Sequence, residues 1–152
     1  MNIIIKEYTK ELIDDAIKFE LDLRKEEDFY SYNIDNEYKD RINNSFNNPL
    51  FNNAVSYLAY IDNKVVGRID ASIIYSKFDG NRKCYLDWIC VLKSYRHQGI
   101  AQLLFNKLID KLKQLKINTL IVLTATNEES INFYNSIKYD KVDEKALWID
   151  LK

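Results

Sequence analysis

The sequence predicts a mixed α/β (α+β) domain, a mostly antiparallel twisted sheet flanked by helices, on three observations. Strand-like runs at 55–61, 64–74 and 83–91 follow one another with short polar turns between them, the pattern of an antiparallel meander. A single strand–helix–strand unit spans 83–123, long enough for a parallel crossover. Two helix-period segments separate the first strand from the meander. The order read along the chain is β-α-α-β-β-β-α-β-α-β-β, one domain over residues 1–152.

Each element has a local reason. Residues 3–8 read as the first strand. Thr9 then opens a helix to about residue 25, with Leu12, Ile13, Ala16, Ile17 and Leu21 spaced for one buried face. Residues 26–48 are polar, acidic and aromatic-rich: a loop, then a second helix around 37–46 that Asn47-Asn48-Pro49 ends. Asp62-Asn63 is good hairpin chemistry, and Asp79-Gly80-Asn81 makes the next turn. The best helix is 98–115, with Ile100, Leu104, Leu108, Leu112 and Leu115 on one face. Residues 119–123 form a short β-branched strand. Thr126-Asn127-Glu128-Glu129 fits a capping box, Thr first and Glu three later, for a helix to about 137. Residues 139–142 and 145–151 close the chain as two strands around Asp143-Glu144.

Composition narrows the function classes. A chain of 152 residues, 47% hydrophobic, buries an ordinary core without staples. A net charge of −1 argues against a nucleic-acid-binding surface. Cys84 and Cys90 lie in one strand-like run without metal-ligand spacing and read as reduced thiols of a cytoplasmic protein. The single histidine, His97, excludes a multi-His metal site. No apolar run approaches the roughly 20 residues of a membrane helix. Met1-Asn2-Ile3-Ile4-Ile5-Lys6 is charged too early for a signal peptide. The expectation is a cytoplasmic protein with no metal, no membrane and no nucleic-acid partner.

The most informative stretch is Arg96-His97-Gln98-Gly99-Ile100-Ala101. A Gly turn between a strand and a helix gathers free backbone N–H groups, and the helix dipole adds about half a positive charge. That is a seat for a phosphate or pyrophosphate. A side chain at position 99 would hold the phosphate away from those N–H groups. Without a ligand the same residues make a tight helix start.

The run from Val91 to Ala101 reads V-x-x-x-Y-R-x-x-G-x-A. A second signature is Asn127-Glu128-Glu129-Ser130-Ile131-Asn132-Phe133-Tyr134, an Asn opening a helix with a Tyr seven residues on. With the element order, these resemble the GNAT (GCN5-related) N-acetyltransferases, which use acetyl-coenzyme A. The resemblance covers nearly the whole chain in element order and is specific over 85–139.

The resemblance implies the acyl-CoA N-acyltransferase fold and a set of roles. Backbone amides of Gln98, Gly99, Ile100 and Ala101 would hold the pyrophosphate, with Arg96 and His97 flanking. The main chain of Ile89, Cys90 and Val91 would pair with the pantetheine arm as a pseudo-strand, and an amide there would stabilise the oxyanion of the tetrahedral intermediate. The strand before the Gly turn and the next strand would splay apart to make the cofactor cleft. Asn127 would contact the cofactor, and Tyr134 would protonate the leaving thiolate. Plainer readings stand beside two of these: Asn127 as a helix cap, and Tyr134 as a core aromatic sharing a face with Ile131 and Ile137. Two departures from the family pattern occur. Ile137-Lys138-Tyr139 lacks the Gly that often ends the last helix, so Asn135 or Lys138 is expected in a left-handed conformation. Lys93-Ser94 replaces a common Pro.

The chemistry asks for a base. An alkylamine has a pKa near 10.4, so about one molecule in 2,500 is neutral at pH 7, which costs about 4.6 kcal/mol unless the site removes the proton. A carboxylate within reach, directly or through water, serves. Asp87 is the best candidate, set in an otherwise apolar run over 85–91. Diamine and polyamine acetyltransferases of the family place an acid at the matching position. Regular alternation puts Asp87 on the face opposite Leu86 and Trp88, and a bulge would change that. The plainer reading is a solvent-facing charge at a strand edge. The acidic aromatic stretch 26–32 falls where the family builds its acceptor pocket. Glu27, Asp28 and Tyr32 suit an ammonium substrate, and the stretch reads equally as a solvated loop anchored by its aromatics. Cys90 lies near the expected thioester, but direct attack is the family's usual route.

These residues point to acetyl transfer from acetyl-coenzyme A to a primary amine of a small molecule: a polyamine, an amino sugar or an amino-acid-like amine. The alternatives are a protein N-terminal or lysine acetyltransferase and a non-catalytic acyl-CoA sensor module. Analogy with small family members adds a possible homodimer built through residues 139–151.

Overall fold

The computed structural model describes residues 2–27, 33–124, 127–139, 142 and 149. Five strands lie side by side in chain order: β1 (Ile4–Glu7), β2 (Ala54–Ile61), β3 (Lys64–Tyr75), β4 (Arg82–Val91) and β5 (Leu120–Val122). The first three pairings are antiparallel and β4–β5 is parallel. Four helices flank the sheet: α1 (Ile13–Glu26), α2 (Asn36–Ser45), α3 (Ile100–Gln114) and α4 (Glu128–Ser136). Of the two closing strands expected at 139–142 and 145–151, only Tyr139, Val142 and Ile149 are described residues. Among the described residues, no helix is long and apolar enough to cross a membrane.

The elements form where their local chemistry allows. Asp62 and Asn63 both adopt positive φ, 47° and 61°, the geometry of a two-residue hairpin whose twist matches the strands. Thr9 precedes a 3₁₀ turn, Lys10–Leu12, that leads into α1. The buried stripe of α1 is Ile13, Ala16, Ile17, Phe19, Glu20 and Leu23. Leu21, expected on that stripe, is 40% exposed. Its place in the helical repeat is taken by Glu20, a carboxylate only 1% exposed. Glu20 stays inside because Arg24 reaches it at 2.7 Å and Arg68 of β3 at 3.3 Å.

Two helices sandwich the sheet. On one face Ile100, Leu104, Leu108 and Leu112 of α3 pack on Val55, Tyr57, Ala59, Ile69, Leu86 and Val91. On the other, Ala16, Phe19 and Leu23 of α1 pack on Leu58, Tyr60, Val65 and Leu92. Gly67 lets the start of α3 come close to β3. A Cβ there would lie 3.1 Å from both Ile100 and Leu104 and 3.3 Å from Val91. That contact sets where the N-terminus of α3 stands relative to the end of β4.

The helix ends differ from one another. At the end of α3, Lys116 adopts φ 55°, its N–H donates to the Lys113 carbonyl, and the Ile117 N–H donates to the Leu112 carbonyl. This pairing satisfies two terminal carbonyls and needs a left-handed residue, a place that favours Gly. The end of α4 is different from expectation: neither Asn135 nor Lys138 is left-handed. Ile137 turns extended instead, at φ −83° and ψ 125°. Lys116→Gly is expected to stabilise the fold by about 1 kcal/mol, by removing the left-handed strain of a side chain. A urea unfolding midpoint equal to or below that of the parent chain contradicts this account.

Candidate active site

The site begins where β4 loses one neighbour. β5 pairs with β4 at Cys84–Leu120, Tyr85–Ile121 and Leu86–Val122, and β5 then ends. β4 runs on to Val91. From Asp87 onward the β4 edge that faced β5 carries no ladder among the described residues, so its N–H and C=O groups can meet a ligand strand. The cleft beside this edge holds about 1150 Å³. Its walls are β4, the turn into α3, and α4.

Asp87, Ile89, Cys90, Val91, Arg96, His97, Gly99, Ile100, Ala101, Asn127 and Tyr134 all line this cleft. Gln98 lies in the same turn and is exposed. Asp28 and Tyr32 lie outside the described residues.

The turn is built by left-handed backbone. His97 has φ 60°, and Gly99, at φ 77°, is the N-cap of α3. A Cβ on Gly99 would meet no protein atom within 4 Å, so the glycine is demanded by backbone conformation and leaves open space in front of the helix. The N–H groups of Ile100, Ala101 and Gln102 stand in the first turn of α3, where no carbonyl of the helix can reach them. A cradle of N–H groups with an open centre suits a phosphate oxygen.

Arg96 ties the rim together. Its Nε donates to the Val91 carbonyl at 3.0 Å, and its Nη1 reaches Glu129 of α4 at 2.6 Å. Its Nη2 pairs with Glu27. Glu27, expected at an acceptor pocket, lines the same cleft and pairs there with Arg96. Next to it, Glu26 accepts the Ser94 N–H at 3.1 Å and the Ser94 hydroxyl at 2.7 Å. Burial tends to raise the Glu26 pKa, and these Ser94 hydrogen bonds outweigh it and lower it. His97 is largely exposed, 3.9 Å from Glu129.

Asn127 is the N-cap of α4, and Thr126, expected to open the capping box, lies outside the described residues. The Asn127 Oδ1 accepts the Ser130 N–H at 2.9 Å, and Glu129 turns toward Arg96. Tyr134, seven residues on, is half-buried, and burial pushes its pKa above the ordinary phenol value. Its hydroxyl keeps its proton through neutral pH.

Asp87 occupies a β-bulge. Asp70 pairs with Trp88 and Ala71 with Leu86, leaving Asp87 as the extra residue. Leu86 and Trp88 consequently do not share a face: Leu86 enters the α3-side core and Trp88 the α1-side cluster. The alternation argument fails here for that reason. Burial raises the Asp87 pKa, Asp70 adds to the rise, and Arg68 works against it.

Three residues of this region escaped the sequence reading. Glu129 was counted only as a capping residue. Arg68 and Asp70 carry a readable signal, two opposite charges at i and i+2 in an apolar strand, hence on one face.

A family model described as acetyltransferase (GNAT) family matches residues 12–139. No curated protein sequence matches the chain. Among solved structures, an aminoglycoside acetyltransferase from an uncultured soil metagenomic sample, in complex with sisomicin, superposes with a TM-score of 0.84 at 15% identity, covering 99% of this chain and 97% of that one. A ribosomal-protein-alanine N-acetyltransferase from Brucella melitensis biovar Abortus 2308 gives 0.76 at 16% identity, covering 99% and 100%. A predicted acetyltransferase with acetyl-CoA from Clostridium acetobutylicum gives 0.71 at 18% identity, covering 99% and 96%. At these identities the likeness is one of fold.

Gly99→Val is expected to weaken coenzyme A binding at least about tenfold, a loss of about 1.4 kcal/mol, because a β-branched residue resists positive φ and fills the cradle. Titration calorimetry with coenzyme A measures it, and far-UV circular dichroism checks the fold. Equal affinity in a folded variant removes the turn from the binding site.

Proposed function

The chain belongs to the acetyltransferase (GNAT) family and is an acetyl-coenzyme A-dependent N-acetyltransferase, and we propose that its acceptor is a primary amine of a small molecule. The observation that carries this reading is Asp87. It is a carboxylate on the cleft wall, set at a bulge opposite α4, with no ion-pair partner of its own among the described residues. An ammonium group entering the cleft would supply one. One protein that shares the fold is an aminoglycoside acetyltransferase in complex with sisomicin, in line with this reading. The ribosomal-protein-alanine acetyltransferase keeps a peptide N-terminus as the second acceptor class to be tested.

The proposed roles follow from position. The N–H groups of Gln98, Gly99, Ile100 and Ala101 would hold the cofactor's pyrophosphate, with Arg96 and His97 beside it. The open edge of β4 at Ile89, Cys90 and Val91 would pair with its pantetheine arm. Bound acetyl-coenzyme A supplies the thioester. Asp87 would take the proton from the acceptor nitrogen, directly or through water, and so relieve the cost of deprotonating an alkylamine. A main-chain N–H of the open β4 edge would face the acyl oxygen. Tyr134 would hold a proton on its hydroxyl for the departing sulfur. Asn127 would border the cofactor while capping α4.

The base must be ionised to act, and the Asp87 pKa is raised. Activity therefore falls as pH drops through a value above the ordinary aspartate pKa of about 3.9. Asp87→Asn is expected to remove that acidic limb and lower kcat by about 10²–10⁴, and Tyr134→Phe to lower kcat by about 10² with little change in KM. The assay is release of coenzyme A thiol against polyamines, an aminoglycoside, amino acids and an N-terminal alanine peptide. Undiminished turnover in both variants sinks the acid and base roles. Turnover of the peptide alone moves the acceptor to proteins. Coenzyme A binding with no turnover of any amine points to a sensor.

A further inference from the structure

We propose that Arg68 is a positioning residue for Asp87: pinned by the buried Glu20, it engages Asp70 at two points and thereby keeps the Asp87 carboxylate available to the amine. The inference rests on the reading of Asp87 as the base, and deepens it.

The register of β3 against β4 pairs Arg68 with Cys90 and Asp70 with Trp88, and leaves Asp87 as the bulged residue beside that second pair. Asp70 and Asp87 are thus neighbouring carboxylates on adjacent strands. Burial and the negative charge of Asp70 beside it both make Asp87 harder to ionise. A retained proton would disable a base.

Arg68 counters this. Its Nε and Nη2 hold the two oxygens of Asp70 at 2.6 and 3.0 Å, the two-point geometry specific to a guanidinium. Its Nη1 is held by Glu20 at 3.3 Å, and its guanidinium lies over the Tyr8 ring at 4.9 Å. Glu20 is in turn held by Arg24. Burial opposes the Arg68 charge, and Asp70 and Glu20 outweigh it, so the pKa moves up and the guanidinium stays charged. Charges alternate along the line Arg24, Glu20, Arg68, Asp70, and Asp87 stands at its end.

The surroundings of Asp87 are accounted for element by element. β3 contributes Arg68 and Asp70, and α1 contributes Glu20 and Arg24 behind them. Tyr8 covers Arg68 from the end of β1. α4 contributes Tyr134, Glu128 and Glu129 to the same cleft, β4 and the turn into α3 contribute Cys90, Tyr95, Arg96 and His97, Glu27 follows the end of α1, and β5 (Leu120–Val122) contributes no charge.

The test is a pH titration of the full chain labelled with carboxyl-¹³C aspartate and followed by NMR, with the Asp87 signal assigned by its loss in Asp87→Asn. In Asp70→Asn the Asp87 midpoint is expected to fall, because a like charge is gone. In Arg68→Gln it is expected to rise by about one pH unit or more, because the compensating cation is gone. Arg68→Lys is expected to lie between Arg68→Gln and the parent chain, since it restores the charge without the fork. A purely structural Arg68 would lower thermal stability without moving the midpoint in opposite directions. If Arg68→Gln does not fold, Asp70→Asn decides alone. An unmoved midpoint in Asp70→Asn overturns the inference. The acidic limb of the coenzyme A release assay is expected to shift the same way as the NMR midpoint. Full amine turnover in Asp87→Asn, with NMR midpoints moving as described, overturns the base role on which the inference rests rather than the electrostatic coupling.

Discussion

The half-paired edge of β4 governs the rest of the molecule. Through Leu86 the strand has ladders on both sides, to β3 and to β5. Beyond Leu86 only β3 remains among the described residues, because β5 stops at Val122 and α4 begins at Glu128. Unpaired backbone groups in a sheet interior are costly unless water or a ligand satisfies them. A cleft along that edge, open to solvent, resolves the conflict. The parallel β4–β5 pairing requires a crossover helix, and that helix brings an N-terminus to the end of the open edge. The strand ladder and the anion cradle are therefore two ends of one construction. Gly67 sets the distance between them by letting α3 sit close to β3.

Two arginines organise the charge around this cleft in contrasting ways. Arg96 works at the rim, gathering Glu27 from the end of α1, Glu129 from α4 and a main-chain carbonyl from β4. α1, β4 and α4 are joined at one guanidinium. Arg68 works in the interior, where Glu20 and Asp70 hold it on the α1 side of the sheet. Buried charges of this kind persist only when each finds a partner, and removing one member strands the others. The sheet tolerates Glu20 in its core because the line of alternating charges is complete.

Much of the fold was legible in the sequence, for identifiable reasons. The hairpin at Asp62-Asn63 was readable because few residues accept positive φ in succession. The α3 face was readable because Ile100, Leu104, Leu108 and Leu112 repeat with the helix and nothing interrupts them. The Gly99 turn was readable because only a strand, a glycine and a helix in that order make it. Other expectations failed where a local rule met a tertiary exception. Leu21 was assigned to the core because it is apolar and correctly spaced, but a charged neighbour with two partners took the buried position. The face of Asp87 depended on whether the strand holds a bulge, and the structure has one there: one extra residue resets strand alternation and leaves no mark in the local composition.

The sequence by itself determined the element order through α4, the Gly99 turn at the start of α3 and the family resemblance, since each depends on residues close together along the chain. Only the tertiary structure decided which distant residues share the cleft. Asp87 and Tyr134 line one cleft because β5 is short, a fact about pairing and not about either residue. Glu27 meets Arg96, and Arg68 meets Glu20, because α1 crosses the sheet at a particular place. Ion pairs between residues tens of positions apart carry no local signature. They exist only once packing has brought their charges within reach, and that is why the electrostatics of this site had to be read from the fold.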